Sequence, residues 1–180
     1  MAVFGGSFDP PHVSHVLCAA YVLATQPVDA LLVVPTYAHP FGKKMAAYEH
    51  RIAMCERAFA DLRRVEVSDI EREIGGESKT LFTLRALQER HADWSLRFVV
   101  GSDILAEQNK WYAWDSVVAL APLIVLGRAG FPHPDAGPAV IPEAASRDVR
   151  SALASGEDVS TTVPARVLEY VREHGLYRAA

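Results

Sequence analysis

The feature that most constrains this chain is its beginning, where an apolar segment ends in two glycines and two histidines follow. Residues 2–6 read Ala-Val-Phe-Gly-Gly, and His12 and His15 precede an apolar helical pattern over 16–25. This order predicts a strand, a glycine loop and a helix. Paired glycines let backbone approach a ligand closely, and a helix N-terminus offers free N–H groups to phosphate. Imidazoles at that junction can donate hydrogen bonds to phosphoryl oxygens, so the pattern predicts a phosphate site.

Apolar runs alternate with helical patterns along the rest of the chain. Short continuous apolar runs of this kind are typical of buried parallel strands, and three of the four that follow end in proline or glycine. The strands are expected at 29–35, 65–68, 96–101 and 122–127, with a further short one near 139–141. Helices are expected near 47–62, 80–91, 111–120, 147–154 and 164–174. Alternation of this kind predicts an α/β fold, a doubly wound parallel sheet whose ligand lies beyond the carboxyl ends of the strands.

Length and charge exclude several classes of protein. A chain of 180 residues is most simply one domain, which we divide into a core, 1–142, and a C-terminal helical segment, 143–180. The net charge of −4 argues against nucleic acid as a partner. No signal peptide or membrane-spanning run is visible, and Cys18 and Cys55 are expected to be reduced and buried, so a cytoplasmic location without membrane attachment is expected.

The opening segment resembles a known family. Gly-Gly-Ser-Phe-Asp-Pro-Pro-His-x-x-His is similar to the (H/T)xGH signature of nucleotidyltransferases, with Ser14 at the position of the usual glycine. The resemblance implies a Rossmann-like nucleotidyltransferase fold in which the loop cradles the triphosphate of ATP. It gives His15 and His12 catalytic roles on the phosphates. The ATP-binding residues it implies in this loop are Gly5, Gly6, Ser7, Phe8, His12 and His15.

Later segments resemble the nicotinate and nicotinamide mononucleotide adenylyltransferases in particular. Glu77 to Leu84 is similar to their Ser-Tyr-Thr-x-x-Thr-Leu segment, and a strand ending in Gly-x-Asp is followed eight residues later by Trp111. In that family the aspartate binds the ribose of the acceptor and the tryptophan stacks on the pyridine ring. The acceptor-binding residues this resemblance implies are Phe8, Lys44, Thr80, Asp103, Trp111 and Arg128, with Gly101 and Asp103 also on ATP. Trp114, three residues after Trp111 on the expected helix, is assigned to the core.

Basic residues complete the implied phosphate site. The loop after the second strand holds Lys43 and Lys44, either of which could neutralise reacting phosphates, and Lys44 is assigned a catalytic role and Lys43 a role on ATP. Arg51 and Met54 match the Arg-x-x-Met helix that follows this lysine in the family. In the C-terminal segment, Ser146 and Arg150 match a family pattern that binds the β- and γ-phosphates of ATP, and the resemblance also gives Arg150 a catalytic role. Ser146 is also expected to be an N-cap.

The resemblance therefore implies an adenylyltransferase that joins ATP and a pyridine mononucleotide in NAD synthesis and releases pyrophosphate. Mg²⁺ would be held mainly by ATP oxygens, with no dedicated metal ligands from the protein. The sequence leaves open nicotinate against nicotinamide, and whether the protein is a homo-oligomer.

Three alternatives stay open. One is a related transferase with pantetheine phosphate or a cytidylyl acceptor. Another is a nucleotide-binding module without catalysis, suggested by Ser14, Ala145 and Arg147 at positions where the family has other residues. The weakest is a zinc site of His12, His15 and His39, because a structural zinc ion normally takes four ligands.

Overall fold

A computed structural model describes residues 1–38, 42 and 44–178. Its centre is a five-stranded parallel sheet in the order β3-β2-β1-β4-β5. The strands are β1 (Ala2–Gly6), β2 (Leu31–Pro35), β3 (Val65–Val67), β4 (Arg97–Gly101) and β5 (Leu123–Leu126). The chain turns from one half of the sheet to the other between β1 and β4, which is where ligands bind in doubly wound folds. The expected fold class is confirmed.

Helices cover both faces of the sheet. They are α1 (Val13–Thr25), α2 (Tyr48–Phe59), α3 (Ile70–Ile74), α4 (Thr80–Arg90), α5 (Ser102–Leu105), α6 (Trp114–Leu120), α7 (Ser146–Ser155) and α8 (Ala165–Glu173), with a 3₁₀ turn at Gln108–Lys110. None of the helices in the described part of the chain has both the length and the apolar composition needed to cross a membrane.

Strand alternation sorts the core into two layers. Successive side chains of a strand point to opposite faces, so Leu31 and Val33 join the layer under α1, α2 and α8, and Leu32 and Val34 join the layer under α4 and α6. All of β2 is buried, which explains its unbroken apolar sequence. The C-terminal α8 packs on α2 within the first layer. The division of the chain at residue 142 remains a prediction.

Two expected elements differ in the structure. Residues 69–77, expected to be a connection, contain the short α3, whose Ile70 is 1% exposed and packs in the second core layer. Five residues are too few for a helical period to be seen in sequence. The expected strand at 139–141 is absent from the described structure, and Val140 there is 57% exposed.

The prediction that Trp111 and Trp114 share a helix face is wrong. Trp111 has extended backbone (φ −88°, ψ 136°) and Ala113 is left-handed (φ 50°), so α6 begins only at Trp114. The ring of Trp111 instead packs edge-on against Phe98 of β4, with centroids 5.9 Å apart. Trp114 is only partly buried and lines a neighbouring surface cleft, so its assignment to the core is also corrected.

Candidate active site

A cavity of about 610 Å³ lies at the carboxyl ends of the strands, beside the point where the sheet reverses direction. Its walls come from the loops after β1, β4 and β5, from the first turns of α1 and α4, and from the connection between α5 and α6. Ten of the predicted site residues line it: Gly5, Gly6, Ser7, His12, His15, Thr80, Gly101, Asp103, Trp111 and Arg128. The fold therefore gathers most of the predicted site around one space.

His12 and His15 form a stacked pair at the start of α1. Their ring centroids are 3.7 Å apart, and the backbone N–H of His12 donates to Nδ1 of His15 at 3.1 Å. Because Nδ1 of His15 accepts that bond, a neutral His15 carries its proton on Nε2. Phe8 supports the pair from below, with its ring centroid 4.8 Å from that of His15. His15 is thus a hydrogen-bond donor at Nε2 whose ring is fixed in orientation by its neighbours.

Burial keeps both imidazoles neutral near pH 7. Burial, and to a smaller extent the positive charge of Arg128, lower the pKa of His12 from 6.5 to about 4. The pKa of His15 is also lowered, first by burial and then by His12 and Arg128. A neutral imidazole still has one N–H group, so each ring can donate a hydrogen bond to an anion without being protonated to the imidazolium form.

His12 has an unsatisfied polar atom. The side chain is 4% exposed, and its Nδ1 has no hydrogen-bond partner among the residues that the structure describes. Leaving a buried polar atom unpaired costs about 1–3 kcal/mol, so native proteins rarely do so without a reason.

An ion pair marks the side of the cavity formed after β4 and β5. Nε of Arg128 lies 3.5 Å from Oδ1 of Asp103. The backbone N–H of Arg128 donates to Oγ of Ser102 at 2.9 Å. A Cβ at Gly101 would clash with the Asp103 carboxylate and lie 3.2 Å from Nε of Arg128, so a side chain at this position would displace the ion pair. The Gly-x-Asp spacing thus lets a carboxylate and a guanidinium stand side by side on the wall.

Trp111 and Thr80 stand on the wall formed by α4 and the segment before α6. Thr80 is the first residue of α4, where helix geometry leaves N–H groups free and favours negative charge. Lys79 precedes it and also lines the cavity, with Nζ 3.4 Å from the Glu77 carboxylate and 5.1 Å from the Tyr112 ring. This wall combines a flat aromatic ring with donors for an anion.

Phe8 does not reach the cavity. Its side chain is 1% exposed and packs edge-on against Phe4 and Phe59 at 5.5 and 6.2 Å. We therefore correct the expectation that its side chain contacts ATP and the acceptor. Its backbone is left-handed (φ 46°), which turns the ring inward under His15.

Ser146 and Arg150 are engaged with the glycine loop rather than lining the cavity. Ser146 is the first residue of α7 and not its N-cap, which is Ala145, and its Oγ donates to the Pro10 carbonyl at 2.9 Å. Nη1 of Arg150 donates to the Asp9 carbonyl at 2.6 Å. The direct roles of both residues on phosphate remain predictions.

The lysine loop is only partly described. Lys44 is exposed and does not line the cavity. Lys43 and His39 lie outside the described residues, and with them the ATP role of Lys43 and the three-histidine zinc site. Within the described ranges, no three His, Cys, Asp or Glu side chains are grouped as metal ligands.

The sequence argument missed what Arg51 and Glu71 do. Arg51 is 1% exposed, and its guanidinium donates to carbonyls of both loops that meet at the cavity. These acceptors are Ser7 and Ala46 at 3.1 and 3.0 Å, Thr36 at 2.6 Å and Tyr37 at 3.4 Å. An arginine on an otherwise apolar helix face was the available signal, since arginine is almost never buried without partners.

Glu71 ties the loop after β2 to the helices beside it. Its carboxylate accepts from the Tyr37 N–H and the Thr83 hydroxyl, each at 2.9 Å, and it lines the cavity. Glu71 lies on the short α3, the helix that the sequence pattern did not reveal.

Comparison with known proteins assigns the family. The profile of the cytidylyltransferase-like family matches residues 3–163. A protein of Anaeromyxobacter dehalogenans strain 2CP-1, named "Probable nicotinate-nucleotide adenylyltransferase", is 48% identical over 99% of this chain and 96% of its own length. The protein belongs to the nicotinate-nucleotide adenylyltransferase family. A member from Myxococcus xanthus strain DK1622, with the same name, is 43% identical over 98% of this chain and 94% of its own length.

Solved structures agree on the fold of this adenylyltransferase. The Plasmodium falciparum nicotinic acid mononucleotide adenylyltransferase complexed with NaAD has a TM-score of 0.84 at 19% identity, over 98% of this chain and 96% of that one. The family assignment confirms the predicted enzyme class, an adenylyltransferase of NAD biosynthesis.

Proposed function

We propose that this adenylyltransferase transfers the adenylyl group of ATP to the phosphate of nicotinate mononucleotide and releases pyrophosphate. The observation that carries the proposal is that the stacked His12–His15 pair lines the same cavity as Trp111 and Asp103. One part of this space suits phosphates and another suits a flat ring with a ribose.

The reaction is a direct displacement. An oxygen of the acceptor phosphate attacks the α-phosphorus of ATP in line. A new P–O bond forms as the bond between the α-phosphorus and the bridging oxygen of the β-phosphate breaks, and that oxygen leaves with the electron pair as part of pyrophosphate. Burial raises the pKa of Cys18, the thiol in the cavity, to about 11, so it stays protonated and unsuited to act as a nucleophile.

His15 is the proposed catalytic donor. Its Nε2–H, fixed by the bond at Nδ1, would donate to an α-phosphate oxygen as charge builds there. His12 would donate to the triphosphate beside it. Gly5, Gly6 and Ser7 would let the backbone come close to the phosphates, because the first two carry no side chain.

Mg²⁺ is the proposed metal, carried into the site on the oxygens of ATP. Magnesium prefers oxygen ligands and commonly keeps several waters, which suits a cavity wall made of imidazoles, a guanidinium and scattered carboxylates. When bound it offsets negative charge on the departing pyrophosphate. Lys44, and Lys43 in the undescribed part of the loop, would add positive charge nearby.

The acidic acceptor is proposed over the amide. The curated relatives are named for nicotinate nucleotide. The start of α4 at Thr80 and the ammonium of Lys79 both favour a carboxylate over a neutral amide at this wall. Trp111 would stack on the pyridine ring and Asp103 would accept from the ribose hydroxyls.

Pyrophosphate release tests the proposal. The purified protein is incubated with ATP, Mg²⁺ and one acceptor at a time: nicotinate mononucleotide, nicotinamide mononucleotide or phosphopantetheine. The adenylylated product of each reaction is identified by mass. We expect release with nicotinate mononucleotide at the highest kcat/KM of the three. Release only with phosphopantetheine would favour the alternative transferase, and ATP binding without release would favour a module without catalysis.

A further inference from the structure

The segment Gly137–Pro142, here called the strap, crosses the end of β5 and joins the wall of the cavity. Gly127 lies directly under it, because a Cβ at Gly127 would clash with the Gly137 carbonyl and lie 3.0 Å from atoms of Pro138 and Ala139. Ile141 of the strap lines the cavity together with Gly127 and Leu126. The strap therefore supplies part of an apolar wall.

One hydroxyl tethers the strap to the first helix. Oγ of Ser14 donates to the Pro142 carbonyl at 2.5 Å, across 128 residues of sequence. Ser14 is 4% exposed and lies on α1 between His12 and His15. Among the described residues this is the one hydrogen bond that the strap makes. Only packing supports the rest of the strap.

Ser14 is also where this chain departs from the glycine of the (H/T)xGH signature. A glycine could not make the bond, since it has no hydroxyl. The departure thus adds a connection between the phosphate-binding turn and the wall formed by Ile141.

We propose that Ser14 is a positioning residue for ATP, which acts by holding the strap so that Ile141 forms a fixed wall of the nucleotide site. The proposal rests on the proposed function, in which ATP lies beside His12 and His15. If the strap is already fixed before ATP binds, no binding free energy is lost in ordering it, and ATP binds more tightly. The acceptor wall, at Trp111 and Thr80, is built from other segments and is not part of this arrangement.

The test compares Ser14→Ala with Thr25→Val. Thr25 is on the same helix and its hydroxyl also donates to a carbonyl, that of Tyr21 at 2.7 Å, but it is outside the cavity. For Ser14→Ala we expect the ATP KM and the Kd of a non-hydrolysable ATP analogue to rise about tenfold. The reason is that the strap, without its hydrogen bond, must be ordered when ATP binds. The acceptor KM should stay close to wild type, the thermal midpoint should fall only slightly because one hydrogen bond is lost, and Thr25→Val should change neither KM.

Limited proteolysis gives a readout that is independent of turnover. Cleavage within 137–142 should be faster in Ser14→Ala than in wild type, and saturating ATP analogue should slow it again. Unchanged cleavage and an unchanged ATP KM would overturn the proposal. An equal change in all kinetic parameters together with a lower thermal midpoint would also overturn it, because that result means a merely structural role.

A second pair of variants tests the wall without touching the tether. Ile141→Ala should raise the ATP KM, whereas Val140→Ala, at a neighbouring side chain that is 57% exposed, should not. Equal effects of the two would contradict the proposal. If wild type binds the analogue but transfers adenylyl to no acceptor, the proposed function fails while the tether is still tested by binding and proteolysis. If wild type does not bind the analogue, both fail.

Discussion

Arg150 and Asp9 are 141 residues apart in sequence but in direct contact in the fold. Nη1 of Arg150 donates to the Asp9 carbonyl at 2.6 Å and lies 3.5 Å from Oδ2 of its fully buried carboxylate. The Tyr177 hydroxyl donates to the other carboxylate oxygen at 2.7 Å. The C-terminal segment thus holds the glycine loop in place.

Removing Arg150 should destabilise the protein. Arg150→Ala removes the cation that is paired with the buried Asp9 carboxylate, and we expect the free energy of unfolding to fall by about 3 kcal/mol. Urea unfolding at pH 7 measures it. The control is Arg147→Ala, on the same helix, whose side chain is 84% exposed and pairs with exposed Asp148. A raised ATP KM with unchanged stability would instead support the direct phosphate role.

Arg51 should matter for both loops at once. Arg51→Lys keeps the charge but cannot donate to four separate carbonyls, so we expect lower stability and a raised KM for both substrates. The matched control is Arg57→Lys on the same helix, where the guanidinium packs on the Tyr170 ring and donates to Ala53. Equal effects of the two substitutions would argue against a special role for Arg51.

The pH dependence of stability should contain a contribution from His12. Its folded pKa of about 4 lies below the ordinary 6.5, so between these values the unfolded chain binds more protons and stability falls as pH falls. The stabilisation that comes from the neutral His12 ring is fully present at pH values well above 6.5, and about 3 kcal/mol of it is lost by pH 4.

Urea unfolding from pH 7.5 to 4 compares wild type with His12→Gln, which should show a shallower loss. The control, His133→Gln, replaces a histidine in an exposed loop outside this cavity and should leave the profile close to wild type. Parallel profiles for wild type and His12→Gln would contradict the expected burial of a neutral ring.

Loss of His15 should slow the chemical step. His15→Ala removes the proposed donor to the α-phosphate, and we expect kcat to fall by about 10²-fold or more, with a smaller change in KM. The measurement is steady-state pyrophosphate release. His91→Ala, which removes a ring stacked on Trp94 outside the cavity, serves as the control. A kcat within about threefold of wild type would contradict the role, because the loss of such a donor should cost far more.

Substitution of Trp111 should affect binding of the acceptor but not binding of ATP. Trp111→Ala removes the proposed stacking surface, and we expect the acceptor KM to rise about tenfold or more, with the ATP KM little changed. Trp94→Leu is the control, since this tryptophan lies outside the cavity. An unchanged acceptor KM in Trp111→Ala would contradict a pyridine mononucleotide as the acceptor.

The sequence alone determined the five strands of the sheet and most of the helices, the glycine loop and the two histidines at the start of α1. These follow from local chemistry: side-chain period, turn residues and spacing act within a few residues of one another. It also determined the strand ending in Gly101 with Asp103 two residues later. Their contribution to one cavity follows from the parallel sheet, which brings the carboxyl ends of its strands to one edge.

Only the tertiary structure decided which of these side chains face the cavity and in what state. Phe8 is turned under His15, Arg150 is paired with Asp9, and Ser14 is tied to Pro142, in the last two cases across more than a hundred residues. Local spacing cannot reveal such pairings, because each partner is supplied by a distant segment. The lowered pKa of His12 has the same origin, since desolvation depends on everything that packs around the ring.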